Sequence, residues 1–123
     1  MTVQQIDKET LKKRLDEKGI VLIDVRANWA SSRRKIPGAV HESPDDVSEW
    51  AGRYDPNQPV VVYCATPQEA ESRSVAAALE AAGFANVSVL SGGWWVWKTS
   101  DFPTEKREKD PLPKGVIPGV GKP

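Results

Sequence analysis

The single cysteine of the chain, Cys64, is the residue best placed to do chemistry. It directly follows an apolar run, residues 59–63, that predicts a buried strand, and a helix is predicted to begin at Ser72. Backbone N–H groups in the connecting loop and the first helical turn are free donors, and the helix dipole favours negative charge there. Position alone leaves two interpretations open. Cys64 is either a nucleophilic thiolate or a buried cysteine that acts as a small hydrophobic side chain.

Other reactive side chains have a functional and a structural interpretation each. Asp24 and Arg26 either orient the active loop through an ion pair or fix the loop after their own strand, and we favour the structural pair. His41 either acts as a base for Cys64 or occupies a plain strand end, which we favour. The basic run 33–35 (Arg33, Arg34, Lys35) either attracts an anionic donor or forms a solvated loop, and we favour the loop.

Composition excludes several function classes. Seventeen basic and seventeen acidic side chains balance, so nothing favours nucleic acid or an anionic membrane as a partner. No apolar stretch approaches the ~20 residues of a membrane span. One cysteine and one histidine exclude an internal disulfide, a cysteine-based zinc site and a multi-histidine metal site. We therefore expect a cytoplasmic protein without metal or cofactor.

The elements that must position these residues alternate between helix and strand. The patterns predict four strands, over 19–26, 39–41, 60–63 and 86–90. They also predict a helix over 8–18 capped by Asp7, a helix that starts at 43–46, a helix over 72–82, and a short helix around Trp94 and Trp97. This order predicts right-handed crossovers and an α/β fold with a mostly parallel sheet and helices on both faces. Sites in such folds form at the carboxyl ends of strands, where Cys64, Asp24 and Arg26 lie.

The composition changes from Thr104, which predicts a domain over 1–103 and an extended or disordered tail over 104–123. Val116-Ile117-Pro118 is either a docking segment or part of a loose solvated terminus, and we favour the latter. Trp94 and Trp97 are expected in the core, whereas Trp29 and Trp95 are assigned to a pocket rim or a partner surface.

Several segments in the same order resemble the rhodanese-like domain family over residues 4 to 103. They are Leu22-Ile23-Asp24-Val25-Arg26, Lys35-Ile36-Pro37-Gly38-Ala39-Val40-His41, Val61-Val62-Tyr63-Cys64, Ala82-Gly83-Phe84, and Val89-Leu90-Ser91-Gly92-Gly93-Trp94 with Trp97. The resemblance implies a central five-stranded parallel sheet and a sulfurtransferase. Catalytic members take a sulfane sulfur from thiosulfate or another donor, hold it as a cysteine persulfide, and pass it to a thiol or cyanide.

The resemblance also implies which residues form the site. Cys64 is the catalytic residue, and Asp24, Arg26 and Arg73 support it. The persulfide-binding loop consists of Ala65, Thr66, Pro67, Gln68, Glu69, Ala70, Glu71 and Ser72. The implied partners are a small sulfur donor and a thiol acceptor, which includes a protein acceptor, and no metal or cofactor is implied.

The loop departs from the usual pattern, in which four residues separate the cysteine from an arginine and then a serine. Counting back from Gly83, Glu71 occupies the arginine's place and the loop carries about two extra residues. The run Pro67-Gln68-Glu69 is similar to a variant subgroup with a longer loop. Glu69 and Glu71 either oppose a thiolate and repel thiosulfate or stabilise the first helical turn from solvent, and we favour the helical role. We expect weaker thiosulfate activity than in members with a basic loop, and better use of a neutral or thiol-bound donor.

Three function hypotheses follow. The first is a sulfurtransferase that carries sulfur on Cys64. The second is a catalytically silent binding module whose altered loop and Pro-rich tail contact a partner. The third is an arsenate reductase or phosphatase relative, against which Glu71 argues because such enzymes need an arginine to grip a tetrahedral oxyanion.

Overall fold

A computed structural model describes residues 4–17, 19–26, 34–65 and 70–106. Its centre is a parallel sheet of five strands: β1 (Gln4–Ile6), β2 (Val21–Asp24), β4 (Val40–His41), β5 (Val60–Tyr63) and β6 (Val87–Leu90). The spatial order is β1-β6-β5-β2-β4. The predicted α/β class with a five-stranded parallel sheet is confirmed.

Four helices cover both faces of this sheet: α1 (Lys8–Glu17), α2 (Val47–Trp50), α3 (Ala70–Ala81) and α4 (Gly93–Thr99). Leu11 of α1 and Trp97 of α4 belong to one hydrophobic cluster, on what we call the α4 face. Trp50 of α2 and Val75 of α3 belong to a second cluster, on the α3 face. The sheet is therefore buried on both sides, as its nearly continuous apolar strands predict.

Alternation along β5 decides which face each functional residue occupies. Val62 and Cys64 belong to the cluster of the α3 face, whereas Tyr63 belongs to that of the α4 face. Asp24 is in register with both Tyr63 and His41, so these three side chains share the α4 face. Cys64 and Asp24 thus lie at the same end of the sheet but on opposite faces.

The helix starts are only partly as predicted. The Oδ1 atom of Asp7 accepts the N–H of Thr10 at 2.7 Å, which confirms the N-cap of α1. Hydrogen bonds from the side chain and then the backbone of Thr10 lower the pKa of Asp7. The predicted start of α2 at 43–46 is wrong. Ser43 Oγ accepts the N–H of Asp45 in a local turn, at 3.2 Å, and the helix begins at Val47.

A small two-stranded sheet was not predicted. Strand β3 (Arg34–Lys35) pairs antiparallel with β7 (Glu105–Lys106). The segment around the basic run 33–35, for which we favour a solvated loop, therefore contains a strand, and the predicted tail begins with residues that contact the domain. The loop's earlier part, 27–33, and the rest of the tail, 107–123, lie outside the described residues. No helix in the described part of the chain is long and apolar enough to cross a membrane.

Candidate active site

Cys64 lies immediately after β5, at the carboxyl end of the sheet. Its carbonyl oxygen accepts the N–H of Trp94, in the first turn of α4, at 2.8 Å. The start of α4 requires a glycine at position 92, because Gly92 has a φ of 81° and a Cβ there would lie 2.1 Å from a methyl carbon of Val96. The start of α4 therefore fixes the backbone of the cysteine.

The sulfur of Cys64 faces the start of α3. The side chain is 1% exposed, and its Sγ lies 3.3 Å from the Oγ of Ser72, which is fully buried. A serine hydroxyl donates a hydrogen bond to a thiolate or persulfide without supplying a formal charge. The structure thus brings together two of the predicted site residues, Cys64 and Ser72.

The remaining loop residues divide into three groups. Ala65 is half-buried directly after Cys64, and residues 66–69 (Thr66, Pro67, Gln68, Glu69) lie outside the described residues. Ala70 and Glu71 were predicted in the loop, but they form the first turn of α3, so the helix begins two residues earlier than predicted. Glu71 and Arg73 are both exposed. An acidic residue in the first turn stabilises the helix through its dipole, which explains the earlier start.

Asp24 and Arg26 form a buried ion pair. Arg26 NH2 lies 2.7 Å from Asp24 Oδ2, and its Nε lies 2.9 Å from the same oxygen. The side chains are 1% and 3% exposed for Arg26 and Asp24 respectively. The backbone N–H of Arg26 also donates to Asp24 Oδ1 at 2.9 Å. These contacts fix the turn after β2.

Two aromatic side chains that sequence reasoning did not assign to this site enclose Arg26. Its guanidinium carbon lies 4.8 Å from the ring centre of Trp94 and 5.7 Å from that of Tyr63. The hydroxyl of Tyr63 donates to Asp24 Oδ2 at 3.0 Å, and burial raises the pKa of this tyrosine. Because Trp94 also bonds the carbonyl of Cys64, it joins the ion pair to the cysteine loop.

His41 lies on the α4 face, whereas the cysteine side chain lies on the α3 face. Its Nε2 is 3.3 Å from the carbonyl oxygen of Arg26, and burial lowers the pKa of the imidazole. The favoured interpretation of His41 as a strand-end residue agrees with this geometry.

The other sequence candidates have defined places where they are described. Arg34 and Lys35 contact Thr104 and Glu105, so they are not a freely solvated run. Trp97 is 1% exposed and Trp95 is 51% exposed. Arg33 and Trp29 lie outside the described residues. Within those residues no group of three or more His, Cys, Asp or Glu side chains could hold a metal ion.

Comparison with known proteins adds a family and an activity name. The family model described as "Rhodanese-like domain" matches residues 7–100. A thiosulfate sulfurtransferase GlpE of Pseudomonas syringae is 35% identical over 91 residues, which are 74% of this chain and 83% of the relative. The GlpE protein of Coxiella burnetii is 35% identical over 102 residues, covering 83% of this chain and 89% of the relative. The solution structure of a rhodanese-like domain from Anabaena matches with a TM-score of 0.71 and 28% identity, covering 94% of this chain and 89% of that domain.

Proposed function

Because the chain belongs to the rhodanese-like domain family, we propose that it is a sulfurtransferase that carries sulfur on Cys64. The observation that carries the proposal is the place of this thiol. It directly follows the central strand β5, and its sulfur lies 3.3 Å from the hydroxyl of Ser72 at the start of α3. The curated relatives named thiosulfate sulfurtransferase support the same activity.

In the first step the thiolate of Cys64 attacks the outer sulfur of thiosulfate. The sulfur–sulfur bond of thiosulfate breaks, and sulfite leaves with the bonding electron pair. Cys64 is left as a persulfide whose terminal sulfur carries the negative charge. The hydroxyl of Ser72 and the backbone N–H groups at the start of α3 stabilise this charge without donating a proton to it.

In the second step an acceptor thiolate attacks the terminal sulfur of the persulfide. The bond between the two sulfurs breaks, the Cys64 thiolate is regenerated, and the acceptor leaves as a persulfide. Cyanide as acceptor would leave as thiocyanate by the same displacement. Neither step requires a metal or an external oxidant, because the electron pairs move only between sulfur and the acceptor.

The donor preference follows from the charges at the start of α3. Glu71 is exposed in the first turn of α3 directly before Ser72, and we infer that its negative charge weakens the attraction of an anionic donor. We propose that thiosulfate is accepted but that a neutral or thiol-bound sulfane donor is used more efficiently. The acceptor is a small thiol or a protein thiol.

Sulfite release from thiosulfate in the presence of a thiol tests the activity. We expect turnover in the wild-type chain, none in Cys64→Ser, and unchanged turnover in Ser74→Ala, an exposed position on α3. The proposal would be contradicted if the wild type released no sulfite from thiosulfate and also transferred no sulfur from glutathione persulfide to an acceptor thiol.

A second candidate is a catalytically silent binding module, and the burial of Cys64 favours it. A side chain that is 1% exposed is typical of a structural cysteine. The two candidates differ in the rate of Cys64 alkylation as a function of pH. An active thiol is alkylated rapidly near neutral pH, whereas the silent module predicts slow alkylation that rises only toward the pH range of an ordinary thiol.

A further inference from the structure

The residues Thr104, Glu105 and Lys106, which we call the C-terminal strap, follow the part of the chain that the family model matches. They are nevertheless held to the domain by side chains as well as by the β3–β7 pairing. Nε of Arg34 donates to Thr104 Oγ1 at 2.6 Å, and NH2 of the same arginine donates to the Thr104 carbonyl at 2.8 Å. The strap is thus bound in a specific register.

Glu105 fixes the turn that leads into β4. Its Oε2 accepts the N–H of Gly38 at 3.1 Å and lies 3.3 Å from Nζ of Lys35. Gly38 has a φ of 83°, and the Ala39 N–H bonds to the Ile36 carbonyl at 3.1 Å, as in a type II turn. Lys35 Nζ also donates to the Ala39 carbonyl at 2.7 Å. One carboxylate therefore ties the strap to Gly38 within this turn and to Lys35 directly before it.

From the strap a continuous series of contacts leads to the cysteine. The carbonyl of Arg34, whose guanidinium holds Thr104, accepts a hydrogen bond from Arg26 NH2 at 3.1 Å. Arg26 lies over the ring of Trp94 at 4.8 Å. The backbone N–H of Trp94 then bonds to the carbonyl of Cys64 at 2.8 Å. Each link is either a hydrogen bond or a cation–π contact; Arg26 is buried and Trp94 is partly buried.

We propose that the C-terminal strap positions the backbone of Cys64 for sulfur transfer by holding Arg34, and through it Arg26 and Trp94. The inference rests on the proposed sulfurtransferase function. Thr104 and Glu105 are positioning residues: they act by fixing the β3 segment against which Arg26 is held, and they do not touch the donor. Loss of the strap contacts loosens the support beneath Trp94 and hence the backbone of the nucleophile.

The test uses the double variant Thr104→Val/Glu105→Ala in the full chain. Thr104→Val removes the side-chain acceptor for Arg34, and Glu105→Ala removes the carboxylate that holds Gly38 and Lys35. We expect kcat for sulfite release to fall about threefold to tenfold, in the range found for residues that act through a contact network, with KM for thiosulfate changing less than about twofold. The pH profile of Cys64 alkylation should change in parallel.

The matched control is Lys12→Ala/Asp16→Ala, which removes an exposed ion pair of 3.6 Å on α1 and leaves the strap intact. Its kcat and alkylation profile should equal those of the wild type. Glu105→Gln keeps an acceptor for the N–H of Gly38, and we expect it to retain more activity than Glu105→Ala. If the double variant is too unstable to purify, Thr104→Val alone, which keeps the strand pairing and the Thr104 carbonyl, gives the same readouts.

A lower melting temperature with unchanged kcat and an unchanged alkylation profile would overturn the inference, because the strap would then be only structural. This failure is distinct from failure of the proposed function. If the wild type transfers sulfur and the strap variants match it, only the strap inference is lost. If the wild type transfers none, the proposed function is lost, and the alkylation profile still decides whether the strap positions Cys64.

Discussion

The hydroxyl oxygen of Ser72 lies 3.3 Å from the sulfur of Cys64, and both side chains are buried at the carboxyl end of the sheet. The contact joins the end of β5 to the first turn of α3. In the proposed mechanism the serine hydroxyl donates a hydrogen bond to this sulfur, which carries negative charge as a thiolate and then as a persulfide.

Ser72→Ala removes this donor. A hydrogen bond to a charged group contributes about 1.5 to 3 kcal/mol, so kcat/KM for sulfur transfer should fall by about 10- to 100-fold. Sulfite release measures the effect, and Ser74→Ala, on the exposed side of the same helix, serves as the control. Activity of Ser72→Ala within about twofold of the wild type would show that the hydroxyl does not stabilise the reacting sulfur.

Glu71→Gln removes a carboxylate from the residue next to Ser72. We expect kcat/KM for the dianion thiosulfate to rise by about twofold to fivefold, and kcat/KM for a neutral organic trisulfide to change less. Stability should fall by about 0.3 to 1 kcal/mol, because a favourable interaction with the helix dipole is lost. Glu9→Gln makes the same change in the first turn of α1, on the opposite face, and should leave both donors unaffected. Equal gains for both donors in Glu71→Gln would rule out the electrostatic explanation.

Asp24→Asn breaks the buried ion pair with Arg26. The guanidinium is 1% exposed and would remain buried without its counter-charge, so the free energy of unfolding should fall by about 3 to 5 kcal/mol. Urea unfolding measures this loss. Asp16→Asn, in an exposed pair with Lys12, should change stability by less than about 0.5 kcal/mol. A similarly small change in the free energy of unfolding of Asp24→Asn would mean that the buried ion pair does not stabilise the fold.

His41 links stability to pH. Burial lowers the pKa of the folded imidazole below its ordinary value of 6.5, so the unfolded chain binds the proton more tightly. The contribution of His41 to stability is therefore fully present above pH 6.5 and is lost as the pH falls from 6.5 toward the folded pKa. His41→Gln removes the single histidine of the chain. The free energy of unfolding of this variant should therefore rise relative to that of the wild type as the pH falls from about 8 to about 5.5. Urea unfolding at both values checks this, and a difference that is constant or moves in favour of the wild type at low pH would contradict it.

Much of the scaffold could be predicted because its strands are encoded locally. The apolar runs of β2, β5 and β6 and the N-cap Asp7 each carry their own signal. Strand β1 reads Gln-Gln-Ile and has no such signal; it is a strand because it pairs with β6. Likewise β3 and β7 consist of two charged residues each, 34–35 and 105–106, and they are strands only because they pair with one another. Pairing between distant segments is a tertiary effect, which local propensity does not contain.

The candidate site was predictable at its centre and less so around it. The position of Cys64 after an apolar strand and of Ser72 at the start of the predicted helix located the two residues that meet. The sequence predicts Trp94 only as a core residue. In the structure its ring contacts Arg26, and its backbone N–H donates to the carbonyl of Cys64. The alternation of β5 was a usable signal, because it separates Cys64 from Tyr63 onto different faces, whereas the place of Asp24 beside Tyr63 follows only from the register between β2 and β5.

The intact mass of the chain after incubation with a sulfane sulfur donor tests the central claim most directly. Wild-type chain incubated with thiosulfate or glutathione persulfide, and then freed of the donor, should gain the mass of one sulfur atom and lose it again when a thiol acceptor is added. Cys64→Ser should gain none. No added sulfur from any donor, or the same gain in Cys64→Ser, would contradict sulfur transfer through this residue.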